Sequence, residues 1–130
     1  GSLERLGLPI GVVEGIVAIA RYQARITGFA NHAGTTAMAD RQDALVAASR
    51  LVLEVRDVVM SEPGRQVGTV GRIEVSPNAT NVVPGAAMLS IELRDLDEAK
   101  LGRLAEAIRA RAAAIARETR TSIEIVPTGR

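Results

Sequence analysis

Residues 86–95 read AAMLSIELRD, and the alternation in that stretch decides the fold. Ala87, Leu89, Ile91 and Leu93 fall on one side and Met88, Ser90, Glu92 and Arg94 on the other, the period of a strand with one buried face. Upstream, SPNATNVVPG (76–85) is rich in turn formers, and residues 67–75 before it are expected to be a strand. Further back, residues 40–60 repeat at helical spacing. Ala44, Ala47, Ala48, Leu51, Val52, Val55, Val58 and Val59 form one apolar arc, with Asp43, Arg50, Glu54 and Asp57 on the solvated side. Pro63 and Gly64 end that helix. Residues 16–29 alternate again, with Tyr22, Ala24 and Ile26 opposite Arg21, Gln23, Arg25 and Thr27. Downstream, Asp95 with Glu98 three residues on matches the spacing of a capping box. Leu101, Leu104, Ile108, Ala112 and Ile115 then predict a helix over 97–118, and TSIEIVP (121–127) is a last strand ended by Pro127.

Strand, helix, strand, strand, helix, strand is the split β-α-β order. The expected class is therefore α+β and ferredoxin-like, a four-stranded antiparallel sheet with two helices on one face and the other face open. That fold hosts many unrelated activities, so function must come from particular residues.

Composition narrows the classes. The 130 residues are 47% apolar but contain only two aromatics, Tyr22 and Phe29, so the core is aliphatic. Sixteen basic and fifteen acidic residues are spread along the chain, and neither a basic footprint nor stacking aromatics suggest nucleic acid. There is no cysteine and only one histidine, which leaves neither a disulfide framework nor a zinc site of the usual type. No apolar run reaches membrane-spanning length and no signal peptide is visible, so a cytoplasmic protein without a membrane partner is expected. Gly1-Ser2 reads as an expression scar, residues 3–15 as a lead-in segment rich in glycine, and residues 16–127 as the domain.

The single histidine, His32, lies in GFANHAGTTAMADR (28–41). In a polar, glycine-containing loop its imidazole is open to solvent, where it either makes a local structural bond or donates to an oxyanion. Asn78, beside Pro77, suits a turn. Asn81, before Val82, Val83 and Pro84, suits one less. Arg94 carries the planar fork that captures carboxylates, although it could equally be solvated or paired with Asp95. Gly68 and Gly71 lack the strand-to-helix context of a phosphate loop, and Gly71 fits a bulge or close packing. Val46, Leu53 and Met60 extend the apolar surface of the first helix, as a wider core contact or as a partner surface. His32, Asn81 and Arg94 together are an oxyanion donor, an amide and a carboxylate clamp, and they lack a nucleophile.

GFANHAGTTAMADRQDALVAASRL, SPNATNVVPG and IELRDLD, in that order, resemble the lid, or dimerisation, domain of the di-metal amidohydrolases. The branch is that of the N-carbamoyl-L-amino acid hydrolases and allantoate amidohydrolases, and the resemblance covers nearly the whole chain. Where that family usually has proline after the two threonines, this chain has Ala37. The resemblance implies an excised lid, inactive alone, with residues 3–15 leading in from a missing catalytic domain. That domain would hold two divalent metal ions, commonly zinc, and none in this chain. It further implies a homodimer formed through the lid and a small ureido or carbamoyl amino acid as substrate. His32 would reach the partner subunit's site and donate to the scissile carbonyl or its oxyanion, while Asn81 and Arg94 would hold the substrate carboxylate in that same partner-facing site. Thr35 and Thr36 match the motif without an assigned role, and Val46, Leu53 and Met60 would suit the dimer interface. Two other readings remain at this point: a free-standing module that senses a small carboxylate, and the lid of a related peptidase or deacylase.

Overall fold

A computed structural model describes residues 17–129; the expectations for residues 1–2 and 3–15 lie outside it. Seven elements follow in order: β1 (Ala18–Thr27), α1 (Ala44–Met60), β2 (Val67–Thr69), β3 (Ile73–Ser76), β4 (Ala86–Asp95), α2 (Glu98–Thr119) and β5 (Ser122–Pro127), with a short 3-10 turn at Met38–Asp40. The sheet runs β2-β4-β1-β5, with β3 also paired to β4, and every pairing is antiparallel. The α+β, ferredoxin-like arrangement expected from the alternation is what the chain adopts.

One strand differs. The stretch read as a single strand over 67–75 is two short ones, because Thr69 faces Glu92 whereas Ile73 faces Leu89. Val70, Gly71 and Arg72 therefore oppose only Ile91 and Ser90, which is a one-residue bulge. Gly71 sits in that bulge, as its sequence context suggested. Gly68 has a different reason to be glycine: a Cβ there would lie 2.5 Å from a Val59 methyl and 2.9 Å from a Leu93 methyl, so β2 packs directly on α1.

The core lies between the helices and one sheet face. The inward residues of β4 (Ala87, Leu89, Ile91, Leu93) are all buried, and so is the arc of α1 except Val52, which is half-buried. α2 buries Leu101, Leu104, Ile108, Ala112 and Ile115 as expected, with Ala105 added. The two helices are tied on their solvent side by Arg111, which donates to Glu54 and, at 2.9 Å, to Asp57.

The helix starts correct the sequence reading. α1 begins at Ala44 rather than near residue 40, because the Asp43 carboxylate accepts from the amides of Leu45 (2.9 Å) and Val46 (3.2 Å). α2 is capped by Asp97, whose carboxylate accepts from Ala99 at 2.9 Å. Asp95 instead accepts from the Asp97 amide at 2.9 Å and shapes the turn before the helix. Among the described residues no helix is long and apolar enough to cross a membrane.

Val46, Leu53 and Met60 do not widen the core. They are 48%, 67% and 67% exposed and recur every seven residues, forming a stripe on the side of α1 away from the sheet.

Candidate functional site

The site begins where β1 and β4 end. Their ladder closes at Thr27 opposite Ala86, and the Gly28 amide extends it by donating to the Gly85 carbonyl at 2.8 Å. Beyond that, His32 bridges Val82, the Ala33 amide donates to the Asn81 carbonyl at 2.9 Å, and the Val83 amide donates to the Asn31 carbonyl at 2.8 Å. Two loops that are 49 residues apart in sequence, taking His32 and Asn81 as their markers, are thus zipped together by backbone. Glycine permits the approach: a Cβ on Gly28 would sit 2.0 Å from the Gln42 carbonyl oxygen, and one on Gly85 would sit 2.9 Å from the Ala30 nitrogen. Asn78, at φ 60°, takes the left-handed turn position its context suggested.

Within that clasp the His32 ring is oriented. Its Nδ1 accepts from the Gly34 amide at 2.9 Å, and its own carbonyl accepts from the Thr36 hydroxyl (2.6 Å) and amide (3.1 Å). An amide N–H can only donate, so Nδ1 carries the lone pair and the neutral ring holds its proton on Nε2. His32 is exposed, and Nε2 makes no bond among the described residues. The Asn81 side chain is likewise exposed and unbonded there. Among the described residues, one histidine N–H and one side-chain amide thus remain unbonded on the two loops that the backbone joins.

Arg94 does not join them. It lies opposite Val67 and Ile19, eight residues along β4 from Ala86, which at strand rise is roughly 27 Å away. Asn81 and Arg94, expected to grip one carboxylate in a single partner-facing site, stand at opposite ends of β4 within one chain, kept apart by the length of that strand. Nor does Arg94 pair with Asp95. Its Nε donates to Glu92 at 3.0 Å, and Glu92 also accepts from Arg21 at 2.9 Å. The bonds from Arg94 and then Arg21 hold the Glu92 carboxyl below the usual range.

Hollows of about 320 and 340 Å³ lie at the β1–α2 edge beside Arg109 and on the open sheet face around Arg21, Ser90 and Glu92. Neither includes His32, Asn81 or Arg94. Among the described residues no three His, Asp or Glu side chains converge into a metal cage.

Sequence reading missed Arg41, whose guanidinium reaches back to the His32 loop, and Asn31, whose buried Oδ1 has no hydrogen-bond partner. The RxDA spacing before the first helix was the available signal for Arg41, but an arginine there reads equally well as a solvated residue of the first turn.

Residues 15–120 match the family model described as peptidase dimerisation domain. An N-carbamoyl-L-amino-acid amidohydrolase of Pseudomonas sp. (strain NS671) is 36% identical over 107 residues, covering 82% of this chain and 26% of the relative. The allantoate amidohydrolase of Escherichia coli (strain K12) is 40% identical over 99 residues, covering 76% of this chain and 24% of the relative. A hydantoinase/carbamoylase family amidase from Burkholderia ambifaria superposes with a TM-score of 0.89 at 31% identity, covering 98% of this chain and 31% of that one. The chain thus spans about a quarter of the length of the curated relatives it matches. It belongs to the peptidase dimerisation domain family, in the branch that includes the N-carbamoyl-L-amino acid and allantoate amidohydrolases.

Proposed function

We propose that this domain is the lid of a homodimeric, metal-dependent amidohydrolase acting on N-carbamoyl amino acids or related ureido acids, and that it has no hydrolytic activity alone. The observation that carries the reading is the separation of the two ends of the sheet. β1 starts and β5 finishes toward the Arg94 end, since Ala18 faces Asp95 and Pro127 faces Tyr22. The remainder of a longer chain would join there, with the metal ions held outside this domain. His32 and Asn81 lie at the far end, too distant to serve a site next to that junction. They would instead complete the site of a second subunit, where the His32 Nε2–H meets the oxyanion formed at the scissile carbonyl and Asn81 contacts the substrate. Arg94, at the junction end, would clamp the carboxylate of the substrate bound by its own chain.

Apolar exposure supports a partner at the far end and along α1. Phe29 (61%) and Met38 (78%) flank the His32 loop, the Val46-Leu53-Met60 stripe is uncovered, and the outer edges of β2 and β3 have no pairing strand among the described residues. A stripe of this kind and a free edge are both available for lid-to-lid contact.

The test is complementation in a full-length parent carrying this domain. His32→Ala is expected to lower kcat about 100- to 1000-fold, the usual cost of one oxyanion donor. Mixed dimers of that variant with a subunit whose catalytic domain is inactivated should regain turnover, because one composite site is then intact. Mixed dimers as inactive as either parent variant would place His32 in its own subunit and overturn the reading.

A further inference from the structure

The His32 loop is held from outside by a residue that, among the described residues, makes no hydrogen bond to the imidazole. Arg41 Nη2 donates to the Ala33 carbonyl at 2.7 Å and to the Thr36 carbonyl at 3.1 Å, and its Nε donates to the same Thr36 carbonyl at 3.2 Å. One planar guanidinium therefore closes a ring around residues 33–36, the four that follow His32. Its charge is directed at carbonyl oxygens, since among the described residues Arg41 takes part in no ion pair. Arg41 is half-buried, and its own backbone is fixed on both sides. Its amide donates to the Met38 carbonyl at 3.3 Å, and Arg120, from the turn after α2, donates to the Ala39 carbonyl and, at 3.5 Å, to that of Arg41.

Inside this ring lie all the groups that orient the imidazole. Thr36 donates twice to the His32 carbonyl, and Gly34 donates to Nδ1. Glycine at position 34 leaves room for the imidazole, since a Cβ there would stand 3.0 Å from His32 Cε1. Without a cation bridging Ala33 and Thr36, two half-buried carbonyls would lose their partner and be free to rotate, and the Gly34 amide would turn with the peptide planes between them. One nitrogen, Nη2, spans both carbonyls, and Nε adds a second bond to that of Thr36.

We propose that Arg41 is a positioning residue for His32: by bridging the Ala33 and Thr36 carbonyls it keeps the Gly34 amide on Nδ1 and so keeps the donor N–H on Nε2. The inference rests on the assignment of His32 as a donor, but its primary test does not use catalysis. With one histidine in the chain, two-bond ¹H–¹⁵N correlation of labelled imidazole and hydrogen exchange of the Gly34 amide report the site directly.

In the 130-residue chain, Arg41→Ala is expected to speed Gly34 amide exchange about five- to tenfold, the worth of one lost hydrogen bond. It should also move the imidazole nitrogen shifts toward those of a free side chain, while the Leu89 amide in β4 keeps its protection. Arg41→Met should release Gly34 to a similar extent, because it keeps an apolar stem and donates nothing, and it provides the same reading if the alanine variant fails to fold. Unchanged Gly34 exchange and unchanged nitrogen shifts in whichever variant folds would overturn the proposal. In the full-length parent, Arg41→Ala should lower kcat with little change in KM, and adding it to His32→Ala should cost nothing further. If His32→Ala leaves kcat intact while Arg41→Ala still frees Gly34, the positioning stands and the donor assignment falls.

Discussion

The two ends of β4 hold their polar groups in opposite ways. At the Arg94 end, side chains neutralise one another: Glu92 accepts from Arg94 and Arg21, and Asp95 lies 4.0 Å from Lys100. At the Ala86 end, backbone amides and carbonyls hold the loops, and the outer atoms of His32 and Asn81 have no partners among the described residues. Charges paired in this way leave few donors over, chiefly the Nη atoms of Arg94, since among the described residues only its Nε is engaged by Glu92. Uncommitted donors fixed by their own backbone are already oriented for a ligand that another molecule brings, which lowers the cost of binding or of stabilising a developing charge.

That contrast can be broken at either end. The largest effect on stability is expected from Gly28→Ala. The added Cβ would collide with the Gln42 carbonyl, which is backbone and cannot swing away, so a loss of about 3 kcal/mol in denaturant unfolding is expected. A loss below about 0.5 kcal/mol would mean the clasp yields easily and is not a rigid platform. Arg94→Ala in the full-length parent should raise KM about 10- to 100-fold, as for a hydrogen bond to a charged group, and change kcat less. Unaltered KM would remove Arg94 from substrate binding and leave it as a partner of Glu92 alone.

Smaller changes sharpen the picture. Ala37 has φ −60° and ψ 147°, a backbone that proline adopts without strain, and its amide makes no bond among the described residues. Ala37→Pro should therefore raise stability by about 0.5 kcal/mol in thermal or denaturant unfolding. The smallest effect concerns pH. Because the folded state lowers the Glu92 pKa, its contribution is present at neutral pH and fades as pH falls through that lowered value. The stability gap between the wild type and Glu92→Gln should close below the ordinary carboxylate range. A gap that persists in acid would mean the glutamate acts through packing rather than charge.

The alternation in 86–95 and the arc in 44–59 were legible because burial of one face imposes a period that no other constraint disturbs. Where several constraints met, legibility fell. The bulge at 70–72 depends on what β4 offers opposite, and the choice of Asp97 over Asp95 as cap depends on where the chain leaves the sheet. His32, Asn81 and Arg94 could be named from their chemistry, as an oxyanion donor, an amide and a clamp. Their grouping could not be read. Arg94 is closer to Asn81 in sequence than His32 is, yet the strand carries it away while two backbone bridges bring His32 in.

By itself, then, the sequence determined which residues are buried, the order of strands and helices, and the family to which the chain belongs, because each follows from local period or from motif. Only the tertiary structure decided that the free donors and the arginine stand at opposite ends of one strand, that the apolar stripe of α1 faces solvent, and that Arg41 encloses the histidine loop. Those facts arise from segments far apart in the chain meeting in space, and no local pattern encodes the distance between them.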